Sequence, residues 1–165
     1  RGRLPSDITV SSAEEVGGEF DVIGDVKSKL YRYRIYTGRV RPVLDIRHCW
    51  HVGRELDFEA MSRGASYLVG EHDFKSFASA ADKRKSSVRT IYRCELGRDG
   101  EWVWVDVEGD GFLYNMVRNI VGTLVEIGVD RIGADDILGI LAAKDRRAAG
   151  PIAPASGLCL MWIKY

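Results

Sequence analysis

Gly111-Phe112-Leu113-Tyr114-Asn115-Met116-Val117-Arg118-Asn119-Ile120-Val121-Gly122, continuing through Thr123-Leu124-Val125-Glu126-Ile127, decides the fold. Met116 and Val117, Ile120 and Val121, and Leu124 and Val125 fall in adjacent pairs four apart. The spacing predicts a helix over about residues 112–127 with one broad apolar face. A face that wide has to cover a sheet, and the flanking sequence supplies strands. Upstream, two β-branched and aromatic runs over residues 88–96 and 101–108 flank Arg98-Asp99-Gly100. An Asp-Gly pair in that setting predicts a β-hairpin. In its second arm Val103, Val105 and Val107 share one face, and Trp102 and Trp104 share the other.

Working outward, residues 27–36 read as a strand with Lys29, Tyr31, Tyr33 and Ile35 on one face and Leu30, Arg32, Arg34 and Tyr36 on the other. Residues 8–16 read as a further strand ending in an acidic turn, and 47–52 as a short one. Asp57 stands where a helix N-cap belongs, ahead of Phe58, Met61, Ala65 and Leu68 at spacings of three and four, with Gly70 in the position of a C-cap glycine. A second helix over 135–143 carries Ile137, Leu138, Ile140 and Leu141, and 158–165 closes the chain as a strand. Strands in hairpins with helices between them, without strict βαβ alternation, predict an α+β fold: a largely antiparallel mixed sheet with helices packed on one side.

A chain of 165 residues with 45% hydrophobic and 29% charged content can bury one ordinary core, which predicts one soluble domain. No apolar run approaches the roughly 20 residues of a membrane helix, and no signal peptide is evident. Cys49, Cys94 and Cys159, odd in number and widely spaced, read as reduced core thiols of a cytoplasmic protein. The net charge of zero hides a polarised order: residues 4–26 hold six acids and no Lys or Arg, and 27–44 hold six bases and no acid. Residues 1–26 therefore read as an acidic connector and 27–165 as the folded domain. Lys27, Lys29, Arg32, Arg34, Arg39 and Arg41, with Lys83, Arg84 and Lys85 further on, either solvate strand faces or track phosphates.

Several constellations invite chemistry. His48-Cys49-Trp50-His51 with His72 suggests a metal, but on a strand His48 and His51 point to opposite faces, so no metal site is expected. Gly109 and Gly111 around Asp110 lack the Gly-Lys-Ser/Thr of a phosphate loop and read as a helix entry. Arg118 is expected in the second helical turn, where the dipole disfavours a cation and Tyr114, Asn115, Asn119 and Gly122 offer no charge. It is a surface arginine or half of a functional pair. Tyr31 is a packed aromatic or a reacting group.

The run 111–128 and the run Ala149-Gly150-Pro151-Ile152-Ala153-Pro154-Ala155-Ser156-Gly157-Leu158 resemble the carboxy-terminal half of the A-type tRNA pseudouridine synthases. Leu4-Pro5-Ser6-Asp7-Ile8, Tyr31-Arg32-Tyr33-Arg34-Ile35-Tyr36 and Gly70-Glu71-His72-Asp73-Phe74 match in the same order. The resemblance implies isomerisation of uridine to pseudouridine in the anticodon stem-loop of tRNA, at positions 38–40, by a homodimer without metal or organic cofactor. It implies an aspartate nucleophile in a Gly-Arg-Thr-Asp-Ala-Gly-Val-His type motif, which these residues lack. Gly97-Arg98-Asp99-Gly100 is one residue short of that pattern and reads as a turn. Tyr31 matches the tyrosine that stacks on the target uracil. Arg118 matches the arginine that pairs with the aspartate, so the catalytic-aspartate half is expected outside these residues and the chain alone is expected to be inactive. The family's Phe-His/Asp-Ala-Arg-Phe pattern is altered: in Phe20-Asp21-Val22-Ile23-Gly24 an isoleucine replaces the arginine and a glycine the second aromatic, so an RNA contact is expected to be lost. The alternatives are an RNA-binding module that kept the scaffold without catalysis, and an unrelated α+β enzyme, for which no complete catalytic set is present.

Overall fold

The structure, a computed structural model, describes residues 4–165. The elements run β1 (Ser28–Tyr36), β2 (Trp50–His51), α1 (Phe58–Ser66), β3 (Gly70–Asp73), β4 (Val88–Asp99), β5 (Trp102–Gly109), α2 (Met116–Gly128), α3 (Asp136–Ala143) and β6 (Leu158–Lys164). The strands form one sheet in the order β2-β1-β5-β4-β3, with β6 beside the first part of β1. Every pairing is antiparallel except β1 with β2. The fold is α+β with a mixed sheet, as the hairpin and the broad apolar helix predict.

Tyr33 and Ile35 of β1, Val103, Val105 and Val107 of β5, and Cys94 of β4 form the buried face of the sheet. Met116, Val117, Ile120, Val121, Leu124 and Val125 of α2 close over it, with Met61 and Ala65 of α1 beside them. Each large side chain so buried contributes on the order of 1.5–3 kcal/mol. The opposite face carries Arg32, Arg34, Trp102, Trp104 and Asp106.

Some local expectations are corrected. Residues 8–16 form no strand; Ile8, Val10 and Val16 are all more than half exposed, because nothing pairs with them or covers them. The strand expected over 47–52 shrinks to Trp50–His51, since Ile46–His48 turn as a 3-10 helix. Asp57 does cap α1, accepting from Ala60 N at 2.9 Å, but the helix ends at Ser66, and Gly70, at φ +113°, opens β3 rather than closing α1. The long helix starts at Met116, four residues later than the apolar spacing suggested, because Asn115 adopts a left-handed conformation at φ 61° and ends the incoming turn. Arg118 therefore lies in the first turn, not the second. Cys49 and Cys94 are core thiols, whereas Cys159 is exposed on β6. The altered segment at Phe20 forms a tight turn: Asp21 Oδ1 accepts from Ile23 N at 2.8 Å, and Ile23, in the place of the family's arginine, points into solvent at its tip.

One close approach positions the site. A Cβ on Gly122 would lie 1.7 Å from Pro151 O, so only glycine lets residues 150–153 run against α2. Gly150 N donates to Thr123 Oγ1 at 3.0 Å. Buried Asn119 donates to Phe77 O at 2.7 Å and accepts from Arg146 Nη2 at 3.0 Å.

Candidate active site

The strand alternation that buries Tyr33 and Ile35 puts Tyr31 on the same helix-covered face, half-buried near its rim. Phe112 meets Tyr31 edge-on, with ring centroids 5.2 Å apart and planes at 89°. Tyr33, two residues along, is spent on packing: it is fully buried, its hydroxyl donates to Pro154 O at 2.6 Å, and burial pushes its pKa up.

Arg118 reaches the same place from α2. Its Nε donates to Ala153 O at 2.8 Å and its Nη1 to Asn115 Oδ1 at 3.0 Å. Both acceptors are neutral, and among the described residues no carboxylate lies within ion-pairing distance of it. Tyr31, Arg84, Phe112, Asn115, Arg118 and Leu158 line a cavity of about 230 Å³.

Arg84 comes from a loop stapled to the entry of α2. Ser79 N donates to Tyr114 O at 3.1 Å, and Asn115 Nδ2 donates to Ser79 Oγ at 3.0 Å. The nearly buried Asp82 carboxylate accepts from Tyr114 N, from Arg84 N at 2.9 Å and from Arg84 Nη1 at 2.6 Å. The bond from Tyr114 N, followed by those from Arg84, holds the Asp82 carboxyl below the usual aspartate range. Ser79, Asp82, Asn115 and the Ala153 carbonyl were missed from sequence. Asn115 just ahead of the apolar run is a helix-entry residue type, and Asp82 is a lone acid immediately before three bases; those were the available signals.

The remaining basic residues are placed elsewhere. Arg32 grips Asp106 with two bonds of 2.7 Å and lies 5.4 Å from the Trp104 ring centroid, while Arg34 lies 4.6 Å from that of Trp102. Both are on the opposite face of the sheet from Tyr31. Lys29 shares the Tyr31 face, and Lys27, Arg39, Arg41, Lys83 and Lys85 are exposed. His51 bonds Gly38 O at 2.8 Å through a ring nitrogen, and His72 bonds Val69 O. Arg98 and Asp99 end β4 at the hairpin turn, with Asp99 paired to Trp102. Asp110 ties the end of β5 to Thr90, accepting from its N at 3.0 Å, as suits a helix entry.

Comparison with known proteins gives this pair its context. A family described as tRNA pseudouridine synthase matches residues 65–165. The tRNA pseudouridine synthase A of Acetivibrio thermocellus is 45% identical over 162 residues, covering 98% of this chain and 66% of that protein. That of Moorella thermoacetica is 46% identical with the same coverage, and that of Brevibacillus brevis is 46% identical over 99% of this chain and 67% of its own length. The chain thus spans about two thirds of the relatives it matches, and at this identity and extent it belongs to the tRNA pseudouridine synthase family.

Proposed function

We propose that this chain takes part in converting uridine to pseudouridine in tRNA, receiving the target base at Tyr31 and orienting a reacting carboxylate with Arg118. One observation carries the reading: Tyr31 and Arg118, far apart in sequence, line one cavity in which the guanidinium has neutral acceptors on Nε and Nη1 alone. The phenol offers a flat face to uracil and a polar tip for the proton that leaves C5. Arg118 keeps donors for an aspartate from outside these residues, holding it ionised and aimed at the ribose. The carboxylate acts there as the base departs from the ribose, the uracil turns, and C5 takes the place of N1.

The finer reading belongs to the same proposal: uridines 38–40 of the anticodon stem-loop as targets, a homodimeric whole protein, and a cytoplasmic setting. Free thiols at Cys49, Cys94 and Cys159 suit a reducing compartment. Among the described residues no helix is long and apolar enough to cross a membrane.

The test is a fusion in which the unmatched third of the Acetivibrio thermocellus relative precedes this chain, assayed for pseudouridine in a tRNA transcript. The fusion is expected to be active, the chain alone inactive, and Tyr31→Ala and Arg118→Ala at least 100-fold slower. Activity of the chain alone would overturn the assignment of the carboxylate to another segment. The absence of a carboxylate near Arg118 among the described residues also suits a second reading, an RNA-binding module without catalysis. An RNA-binding but inactive fusion would favour it.

A further inference from the structure

At the far end of β1 from Tyr31 lies a larger cavity of about 630 Å³. Three guanidinium groups reach it from three segments: Arg39 after β1, Arg54 after β2, and Arg98 at the end of β4. Thr37 at its lip is six residue steps along the chain from Tyr31, so at about 3.3 Å per residue the two sites are ~20 Å apart.

The frame of this cavity is fixed. Thr37 donates to Glu101 O through both its N and its Oγ1 at 2.9 Å, Val52 N donates to Tyr36 O at 2.9 Å, and the His51 ring holds Gly38 O. A Cβ on Gly38 would lie 2.6 Å from Glu101 Oε2 and 2.7 Å from the Tyr36 ring, so either side chain would have to shift, and Gly53 sits at φ +68°. The charges on this frame are not matched among themselves. Two carboxylates line the cavity, yet among the described residues Arg39 and Arg54 make no ion pair and no side-chain hydrogen bond. Glu101 Oε2 is taken by the Tyr36 hydroxyl at 2.5 Å. Arg98 spends one donor on Gly100 O, at 3.1 Å. Planar guanidinium forks with free donors on a rigid floor suit a phosphate group.

We propose that this cavity is a second anion site that grips a backbone phosphate of the bound RNA through Arg39 and Arg54, with Arg98 beside them. It rests on the reading that Tyr31 receives the target base. A separation of ~20 Å puts the gripped phosphate several nucleotides away from that base along the RNA. The site anchors the stem, while Tyr31 and Arg118 engage the loop.

The test measures binding of the fusion described above to a labelled tRNA transcript and to a stemless RNA loop over a range of salt. Arg39→Ala/Arg54→Ala is expected to weaken tRNA binding roughly 10-fold and to flatten the log K against log salt slope by about 0.9, the loss of one phosphate contact. Binding of the stemless loop is expected to be unchanged. Glu55→Gln, which removes a carboxylate from the rim, is expected to tighten tRNA binding about 2-fold, a gain that mere loss of folding does not produce. A double variant with unchanged slope, or one that loses tRNA and loop binding equally, overturns this site alone. Failure of the unsubstituted fusion to bind either RNA overturns the functional reading and this site with it.

Discussion

Arg118 and Ala153 hold each other twice: Arg118 Nε donates to Ala153 O at 2.8 Å, and Ala153 N donates to Arg118 O at 3.2 Å. The cationic side chain is thereby fixed by the strand of chain that its own backbone fixes. Gly122, one helical turn further, is what lets that segment come so close. The two most distinctive stretches of the sequence, 111–122 and 149–158, thus meet in one contact, which fixes the Arg118 guanidinium in place.

Gly122→Ala tests that contact. The added methyl would lie 1.7 Å from Pro151 O, and backbone on both sides leaves nothing flexible to give way. A loss of about 3 kcal/mol or more is expected in urea unfolding, beyond the usual overpacking cost. Gly139→Ala on the exposed face of α3 is the control, since a methyl added there would meet no heavy atom within 4 Å. It is expected to gain about 0.5–1 kcal/mol.

Arg118→Lys separates charge from geometry. Lysine keeps the cation but cannot bond Ala153 O and Asn115 Oδ1 while presenting a further planar edge to a carboxylate. In the fusion enzyme kcat is expected to fall roughly 10–100-fold with KM for tRNA little changed. Arg118→Ala should fall further and, by losing two hydrogen bonds, destabilise the fold by roughly 1–2 kcal/mol. A KM effect with kcat intact would make Arg118 a binding residue only.

Much of this was legible in the sequence because periodicity reports burial. The pairs four apart in α2 put the right side chains on the buried face, the alternation in β1 and β5 divided their residues between the two faces as the structure does without saying which is buried, and the Asp-Gly turn located the hairpin. The site was legible only in part. Tyr31 and Arg118 were visible through a family resemblance, while the cavity joining them depends on Asn115 turning left-handed and on Gly122 admitting residues 150–153, contacts between segments that no local pattern encodes. Residues 8–16 were misread for the converse reason: β-branched residues favour a strand only where another strand is there to pair.

The Asp82 staple makes loop anchoring pH-dependent, with a definite sign. Hydrogen bonds from Tyr114 N and Arg84 hold its folded pKa below the ordinary 3.8. A depressed carboxylate contributes stability that is complete above its unfolded pKa and is lost as pH falls through the folded one. Asp82→Ala should therefore be less stable than the unsubstituted chain at pH 7, and the gap should narrow below about pH 4. Urea unfolding of both proteins at pH 7 and pH 3 reads this directly, since carboxylates shared by the two cancel in the difference. A gap independent of pH would mean that Asp82 acts through packing rather than through charge.

Thiol chemistry distinguishes the three cysteines. Burial pushes the Cys94 thiol up to about 12 and raises that of buried Cys49. Neither forms the thiolate that attacks a disulfide reagent near pH 8. Cys159 is exposed, on the face of β6 shared with Arg32, to which it is paired in register. With an aromatic disulfide reagent the folded chain is expected to release one equivalent of thiolate promptly and the denatured chain three. Cys159→Ser should abolish the prompt equivalent and leave the slow ones, whose rate then reports opening of the core over Cys49 and Cys94. A second prompt equivalent in the folded chain would mean that the packing around Cys49 or Cys94 is open to solvent.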